Sequence, residues 1–432
     1  MTGFNRLNEF QGMRVAFVST RIAGSDGVSL EIEKWAQVLE RLGIECYYIA
    51  GECDRPSERT AIIEQAHFRH PSILAITEQA FKCGERDLRL TDTIMRQTRI
   101  IRRQLNQALD SFGIQAVIAQ NALTIPMNIP LGLAIVRTIQ EQGLGCIAHH
   151  HDFYWERERY LNNAVEDLIR YAFPPALPQI QHVAINSVAA GEFSRRTGLS
   201  CRVIPNVMDF TNPPPAIDDY GLSFRAQIGM GPDDLLILQP TRVVARKGIE
   251  HTVEMVRRLG LKGARLVISH GAGDEGDTYV NFLRLFSDLM QVNLVFADRW
   301  VTERRGTSAD GRRQYTLQDI YQQADLVAYP SEYEGFGNAF LEAVYCRCPV
   351  LCKRYPIYRT DIEPCGFRTV DFDDYITRPT VAEVKRLLSD RRYQREMVEQ
   401  NYQLALQYFS YEVLEDELRP ILRRVFMPNR CA

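Results

Sequence analysis

The apolar positions of this chain change period repeatedly. "MRVAFVS" (Met13 to Ser19) is a short apolar run that reads as a buried strand. After a turn containing Gly24 and Gly27, residues Leu30, Ile32, Trp35, Ala36, Leu39 and Leu42 recur at helical spacing. "IECYYIA", from Ile44, is the next strand. A strand, a helix and a strand in succession predict a parallel sheet. The alternation continues with a helix near Thr93 to Leu109, the strand "AVIAQ" (Ala116 to Gln120), a helix from about Leu131 to Gln142, and the strand "GCIAHHH" (Gly145 to His151). "HVAINS" and "CRVIPN" supply short strands near residues 182 and 201.

The texture then changes. "TNPPPAIDDYG" (Thr211 to Gly221) has three consecutive prolines and no periodicity, which suits a linker or a domain edge. A second alternating series opens with "LLILQPTRV" (Leu235 to Val243) and proceeds through "ARLVISHG", "VNLVFADRW" and "ADLVAYPS". No repeat joins the two series. Both predict doubly wound, Rossmann-like α/β units, divided as residues 1–207 and 208–410. The last segment, "YEVLEDELRPILRRVF", reads as an amphipathic helix broken by Pro420.

Composition narrows what such units do. The 432 residues suit two or three domains, and a 45% hydrophobic content supplies real cores. With 51 basic and 54 acidic residues the charges nearly cancel, so no broad field points to a nucleic-acid or anionic-membrane partner. Any anion site must be local. The first dozen residues lack a secretory signal, and no stretch approaches the ~20 apolar residues that span a bilayer, so a cytoplasmic location is expected. Ten cysteines scattered through a long chain fit reduced thiols. Cys346, Cys348 and Cys352 lack the paired Cys-x-x-Cys spacing of a zinc site and read as small buried residues.

In open parallel sheets ligands bind beyond the carboxyl ends of the strands, so the strand-to-helix turns carry the candidate chemistry. In "YPSEYEGFGNAFLEAV" (Tyr329 to Val344), Pro330 ends a strand and the loop to Gly337 enters a helix near Asn338, a good N-cap type. Gly335 and Gly337 let the backbone pass close to a ligand, and the helix start favours an anion. Glu334 in the loop and Glu342 one turn inside would meet different parts of one polyhydroxylated molecule. No Gly-Lys-Ser/Thr follows, so the stretch is not a P-loop. A second turn, "TRVVARKG", sets Arg242 and Lys247 five apart just before a helix near Gly248, a match for the two charges of a diphosphate. A third, "HHHDFYWERERY" (His149 to Tyr160), ends a strand. Adjacent strand residues face opposite sides, so at most two of its histidines share a face. His151 or His149 is read as a hydrogen-bonding group rather than a metal ligand, and Arg157 and Arg159 suit a carboxylate or phosphate.

"PSEYEGFGNAFLEAV" resembles the E-x7-E signature of the retaining glycosyltransferases of family 4, enzymes of the GT-B fold. "IPNVMDF" (Ile204 to Phe210) resembles that family's inter-domain segment, "TRVVARKG" its G-R-x-x-x-x-K-G loop, and "AHHHDF" its first-domain His-Asp strand. The resemblance implies two Rossmann-like domains facing a cleft, with residues 411–432 packing back on the first. It implies that Arg242 and Lys247 bind the donor diphosphate, that Gly335, Phe336, Gly337 and Asn338 contact the sugar, that Glu342 meets the ribose, and that Glu334 lies against the donor sugar. His151 would approach that sugar from the opposite domain, and Gly27 would lie near the phosphates. No cofactor or metal is then required, because side chains and a helix dipole meet the leaving charge. Glu334 is not assigned as nucleophile. The usual Gly after the signature is replaced by Arg347, and "IPNVMD" also lacks the family's Gly.

The implied activity is hexosyl transfer, glucose or mannose, from a UDP or GDP sugar to a small soluble acceptor. "HHHDFYWER" with Arg21 is similar to enzymes that extend phosphorylated or carboxylated solutes such as glucosylglycerate, or that make sucrose phosphate, so Arg21, Asp152 and Arg157 are the acceptor candidates. Three rivals stand beside this reading. "GAGDEG" (Gly271 to Gly276) fits G-x-G-x-x-G, with Asp298 at the spacing of an NAD-binding fingerprint. The others are a polysaccharide-assembly glycosyltransferase and a catalytically idle sugar-nucleotide binding module. The sequence sets no oligomeric state.

Overall fold

Seven strands, β1 (Arg14–Val18), β2 (Glu45–Ala50), β3 (Thr60–Ile62), β4 (Ala116–Gln120), β5 (Gly145–His150), β6 (Ile180–Ala184) and β7 (Arg202–Val203), form one sheet in the order β3-β2-β1-β4-β5-β6-β7. Every pairing in it is parallel. The computed structural model describes residues 9–24, 26–82, 85–271 and 276–426. It divides into two compact units, the first made of Met1–Val207 with Tyr411–Ala432 and the second of Met208–Ser410.

The first sheet is apolar on both faces. Ala16 and Val18 join one core with Val117, Ala119, Cys146 and Ala148, while Val15 and Phe17 join the other with Ala116, Ile118 and Ile147. That division follows from the period of two along a strand and explains why these strands read as continuous apolar runs. Helices Leu88–Phe112 and Ile129–Gln142 supply the first core, and helices Gly27–Arg41 and Tyr411–Phe426 the second. The helix from Leu88 starts earlier than its apolar period does, because Asp87 caps it by accepting from the Leu90 amide at 2.6 Å while Leu88 itself is exposed.

The break expected at Pro420 does not occur. Tyr411–Phe426 is one helix with Pro420 inside it. Proline leaves the Asp416 carbonyl without its intrahelical donor, at a cost of ~3 kcal/mol. Asp416 is exposed, so water can reach that carbonyl. On the other side Leu414, Leu418, Ile421 and Leu422 are all buried in the first unit's core, at roughly 1.5–3 kcal/mol each. Burial therefore exceeds the lost bond.

The second unit repeats the plan. Strands β8 (Leu236–Gln239), β9 (Arg265–Ile268) and β10 (Asn293–Phe296) come first, followed by a short antiparallel pair, β11 (Gly306–Thr307) and β12 (Arg313–Gln314). Then come β13 (Leu326–Tyr329), β14 (Val350–Lys353) and β15 (Val370–Phe372). The parallel sheet runs β10-β9-β8-β13-β14-β15. Strands β8 and β13 end at Pro240 and Pro330, which have no N–H to extend a ladder, so the observed strands are shorter than the apolar runs that announce them. The proline-rich stretch has no regular structure until Asp218 caps helix Asp219–Gln227. Among the described residues no helix is long and apolar enough to cross a membrane.

Leu418→Ala removes a fully buried side chain from the C-terminal helix. We expect it to destabilise the first unit by about 2–5 kcal/mol, read as a clear fall in melting temperature by circular dichroism. A variant melting with the wild type would show that the helix adds nothing to that core.

Candidate active site

Strands β8 and β13 are neighbours at the point where the second sheet reverses its order, so the loops that leave them emerge side by side. These loops, 241–248 and 331–337, are fastened to each other. The Glu332 amide donates to the Arg246 carbonyl at 2.9 Å, and Arg246 Nη1 donates to the Tyr333 carbonyl at 3.3 Å. Gly248 has a φ of +57°, and a Cβ there would lie 2.6 Å from the Pro330 carbonyl oxygen, so only glycine permits this approach. Lys247 Nζ closes the junction by donating to the Glu334 carboxylate. Both side chains are nearly out of solvent, Lys247 at 7% and Glu334 at 9% exposure. Arg246 stands 3.8 Å from the same carboxylate, and Lys247 Nζ lies 5.9 Å from the centre of the Tyr329 ring.

The ammonium is under electrostatic tension. Burial pushes the Lys247 pKa down, opposed by Glu334, and the net direction is downward. Arg242 and Arg246 push the same way. Arg242 itself is exposed and makes no ion pair with a carboxylate among the described residues. Its charge reaches a neighbour that sequence reasoning missed, His270 at the end of β9, whose pKa is lowered first by burial and then by Arg242 and Lys247.

The turn into the next helix is held from behind. Tyr355 Oη donates to the Phe336 carbonyl at 2.7 Å, and the Phe336 ring packs edge-on against Phe409 at 5.3 Å. Gly337 has a φ of +137°, and a Cβ there would collide with Tyr355 Oη. Gly337, rather than Asn338, takes the cap position: helix Asn338–Tyr345 begins at Asn338 and no side chain caps it. A capping asparagine would have spent its carbonyl on these amides. Glu342, one turn inside, accepts from Tyr321 Oη at 2.9 Å. Lys247, Glu334 and the 335–338 backbone therefore form one patch, with Arg242 on the same loop. Sequence reasoning also missed Glu332 and Lys353. Lys353, at the end of β14, donates to Glu332, which lies 3.7 Å from His251. Glu332 sits inside the quoted signature, two residues from Glu334, and was the available signal.

The first unit assembles a different cluster where β1, β4 and β5 end. His149 and His151 share a face, their ring centres 4.6 Å apart, and His150 points the other way. His151 Nε2 donates to Gln120 Oε1 at 3.1 Å, and burial lowers its pKa to about 4 against the pull of Asp152 and Asp26. His149 stacks on Trp35 at 4.2 Å, and neither ring nitrogen finds a partner among the described residues. Of the two candidates, His151 is thus the hydrogen-bonding one. Asp152 accepts from Asn121 Nδ2 at 3.0 Å and pairs with Arg157. Arg21 pairs with Asp26 at 2.8 Å, and Asp26 also accepts from the Val28 and Ser29 amides at 3.1 and 3.2 Å. The exposed Gly27 therefore opens a helix whose first amides already hold a carboxylate, which a phosphate would have to displace or lie beside. Arg159 lies over Tyr160 at 4.7 Å, on an exposed face.

The dinucleotide-like "GAGDEG" lies mostly outside the described residues, since 272–275 are not among them. The strand before it, β9, stands beside β8 rather than first in its sheet, which is not where such a fingerprint belongs. Cys348 and Cys352 are buried thiols as expected, Cys346 is only half-buried, and among the described residues no group of three or more His, Cys, Asp or Glu is placed to hold a metal.

Comparison with known proteins bears on the family and the fold. The family model described as glycosyl transferases group 1 matches residues 311–404, which include Glu334 and Glu342. The mannosylglucosylglycerate synthase of Petrotoga mobilis is 31% identical over 390 residues, covering 83% of this chain and 86% of that one. That of Thermotoga maritima is 30% identical over 450 residues, covering 96% and 100%. Among solved structures, a sucrose-phosphate synthase from Thermosynechococcus elongatus superposes with a TM-score of 0.67 at 14% identity, covering 96% of this chain and 100% of that one. Anabaena HepE in complex with UDP-glucose gives 0.65 at 13%, covering 95% and 99%. Such low identities speak to fold alone, and the fold is GT-B; the comparisons lend no support to a nicotinamide-dependent reading. Two relatives at this identity, each matched over more than four-fifths of its length, together with a matched segment that contains the Glu334 turn, show that the chain belongs to the group 1 glycosyltransferases.

Proposed function

We propose that this glycosyltransferase moves a hexose, with retention at the anomeric carbon, from a nucleoside diphosphate sugar to a small hydroxylated acceptor bearing a carboxylate. The relatives' names favour mannose as the hexose and a glucosylglycerate as the acceptor. The observation that carries the proposal is the buried Lys247–Glu334 pair joining the two loops beyond β8 and β13.

Breaking the anomeric C–O bond puts positive charge on the sugar ring and negative charge on the departing diphosphate. Groups fixed in place before that charge develops stabilise it without reorganising. In this reading the Lys247 ammonium, the Arg242 guanidinium and the uncapped helix start at Asn338 meet the diphosphate, so no metal ion is needed. Glu342 is assigned to the ribose and the 335–337 backbone to the sugar hydroxyls. Glu334 already accepts from Lys247, which suits an electrostatic role beside the ring better than nucleophilic attack. Retention then follows from attack on the face the diphosphate leaves: the acceptor oxygen bonds to the anomeric carbon, and its proton passes to a leaving-phosphate oxygen. On the first unit, neutral His151 is assigned to substrate hydroxyls, and Arg21 and Arg157 to the acceptor carboxylate through donors their present partners leave over.

Incubation with GDP-mannose or UDP-glucose and a glucosylglycerate should yield a product one hexose heavier, with the donor's anomeric configuration by proton NMR. An inverted linkage, or a gain in mass from neither donor, contradicts the proposal. Lys247→Ala and Glu334→Ala should each lower kcat/KM by about 10²–10³-fold. Turnover should persist in excess EDTA.

The charge pair also sets a pH dependence. Because burial holds Lys247 below its ordinary value of 10.5, the unfolded chain binds more protons than the folded one between the lowered value and 10.5, and this group favours folding more as pH rises through that window. Glu334→Gln removes the contribution that raises Lys247, so the window extends downward. The variant should be less stable than wild type near neutral pH, with a deficit that shrinks as pH rises towards 10. Thermal melts across pH check this, and a constant deficit would contradict it.

A further inference from the structure

We infer that the second unit carries a further anion site, at the opposite end of its strands from the Lys247–Glu334 loops, and that it takes a small phosphorylated or carboxylated metabolite bearing hydroxyl groups. Strands β13 and β14 are entered from Asp325 and Pro349, and beside these entries lies a cavity of about 480 Å³. Helices Asp219–Gln227 and Arg391–Tyr408 contribute to its walls. Four guanidinium groups line it, those of Arg225, Arg347, Arg391 and Arg395, against one lining carboxylate, Asp325.

The charges do not cancel. Arg225 is answered by Asp325 at 2.8 Å, and Arg347 by Glu399 at 3.0 Å. Arg391 and Arg395 have no carboxylate partner among the described residues. Arg391 Nη1 donates to Gln394 Oε1 at 3.2 Å, and Arg395 Nε to the Arg391 carbonyl at 3.2 Å. The two stand four residues apart on one helix, where like charges repel. An anion in the cavity relieves that repulsion, and guanidinium donors match phosphate or carboxylate oxygens in pairs.

Two further observations define the ligand. Gln323 lines the cavity at 6% exposure; its Nε2 is spent on the Gly221 carbonyl at 2.5 Å, while its Oε1 finds no donor among the described residues. A bare anion offers that oxygen nothing, whereas a hydroxyl beside the anionic group satisfies it once the Gln323 amide, closed to solvent at Oε1 in this conformation, shifts towards the cavity. Arg347 adopts a φ of +53°, a left-handed turn that glycine would take without strain, and it is the residue that stands where the family pattern has glycine. Its guanidinium lies over the Tyr402 ring at 3.6 Å, held at the cavity wall.

The test uses isothermal titration at constant ionic strength with two probes, inorganic phosphate and glycerol 3-phosphate, on the full chain. In Lys247→Ala, which weakens phosphate binding at the donor loops, glycerol 3-phosphate should still bind. In Arg391→Gln/Arg395→Gln both probes should bind this site at least tenfold more weakly, while kcat/KM without added anion stays at the wild-type value and reports an intact fold. Gln323→Leu should weaken glycerol 3-phosphate more than inorganic phosphate. Equal affinity in the double variant, loss of all binding in Lys247→Ala, or no binding to the wild type each overturns the site.

Discussion

A buried ammonium that touches one carboxylate ties the second unit's chemistry together. Removing Lys247 and Glu334 from water costs several kcal/mol per ion, and their attraction repays this only in good geometry. The downward direction of the Lys247 pKa shows that burial outweighs pairing there. Such a pair is poor value for stability alone. What it secures is position: Lys247 cannot leave without depriving Glu334 of its nearest cation, with Arg246 3.8 Å away, and the loops that carry them are further joined by Glu332, Arg246 and the bare backbone of Gly248. Two turns distant in sequence thereby form one joined rim at the carboxyl ends of the central strands.

The two units use charge differently. In the second, Arg242 is exposed with no carboxylate partner among the described residues, and a helix starts at Asn338 with no capping side chain, so positive potential is left over for a ligand. In the first, the charged candidates are already paired, Arg21 with Asp26 and Arg157 with Asp152. A substrate there must share or exchange partners. Behind that cluster lies a buried relay whose protons are fixed by its ends. His182 Nε2 can only donate to the Pro175 carbonyl, at 3.1 Å, so its Nδ1 must accept from His150 Nε2 at 3.0 Å, and His150 Nδ1 from the Thr124 hydroxyl at 2.6 Å. Both histidines are held neutral by burial. The relay links β5, β6 and the segment after β4 beneath His151.

Much of this was legible in the chain because two-sided burial writes parallel strands as apolar runs. The alternation revealed both sheets, and Pro240 and Pro330 then trimmed the strands. Strands β3, β14 and β15 escaped notice. "TAI" and "VDF" are three residues each, too short for a period to register, and the four-residue "VLCK" overlaps the cysteine cluster at Cys352. Pro420 misled because local propensity was read without the tertiary burial of Leu414 and Leu418. At the site, residue types and spacing marked the Arg242–Lys247 turn and the Glu334 glycine turn as strand-to-helix anion candidates, and only the family resemblance brought them to one ligand. They were silent on Lys247 pairing with Glu334, on His270 and on Lys353, since side-chain partners across 87 residues leave no local trace.

Hydrogen–deuterium exchange with and without a nucleoside diphosphate tests the central claim most directly, because it reads the backbone of both loops at once. If the rim built on Lys247 and Glu334 holds the diphosphate, amides in 242–249 and 335–339 gain protection together, and Lys247→Ala abolishes the gain in both. Protection confined to other strand ends, or protection of one loop without the other, would contradict the account.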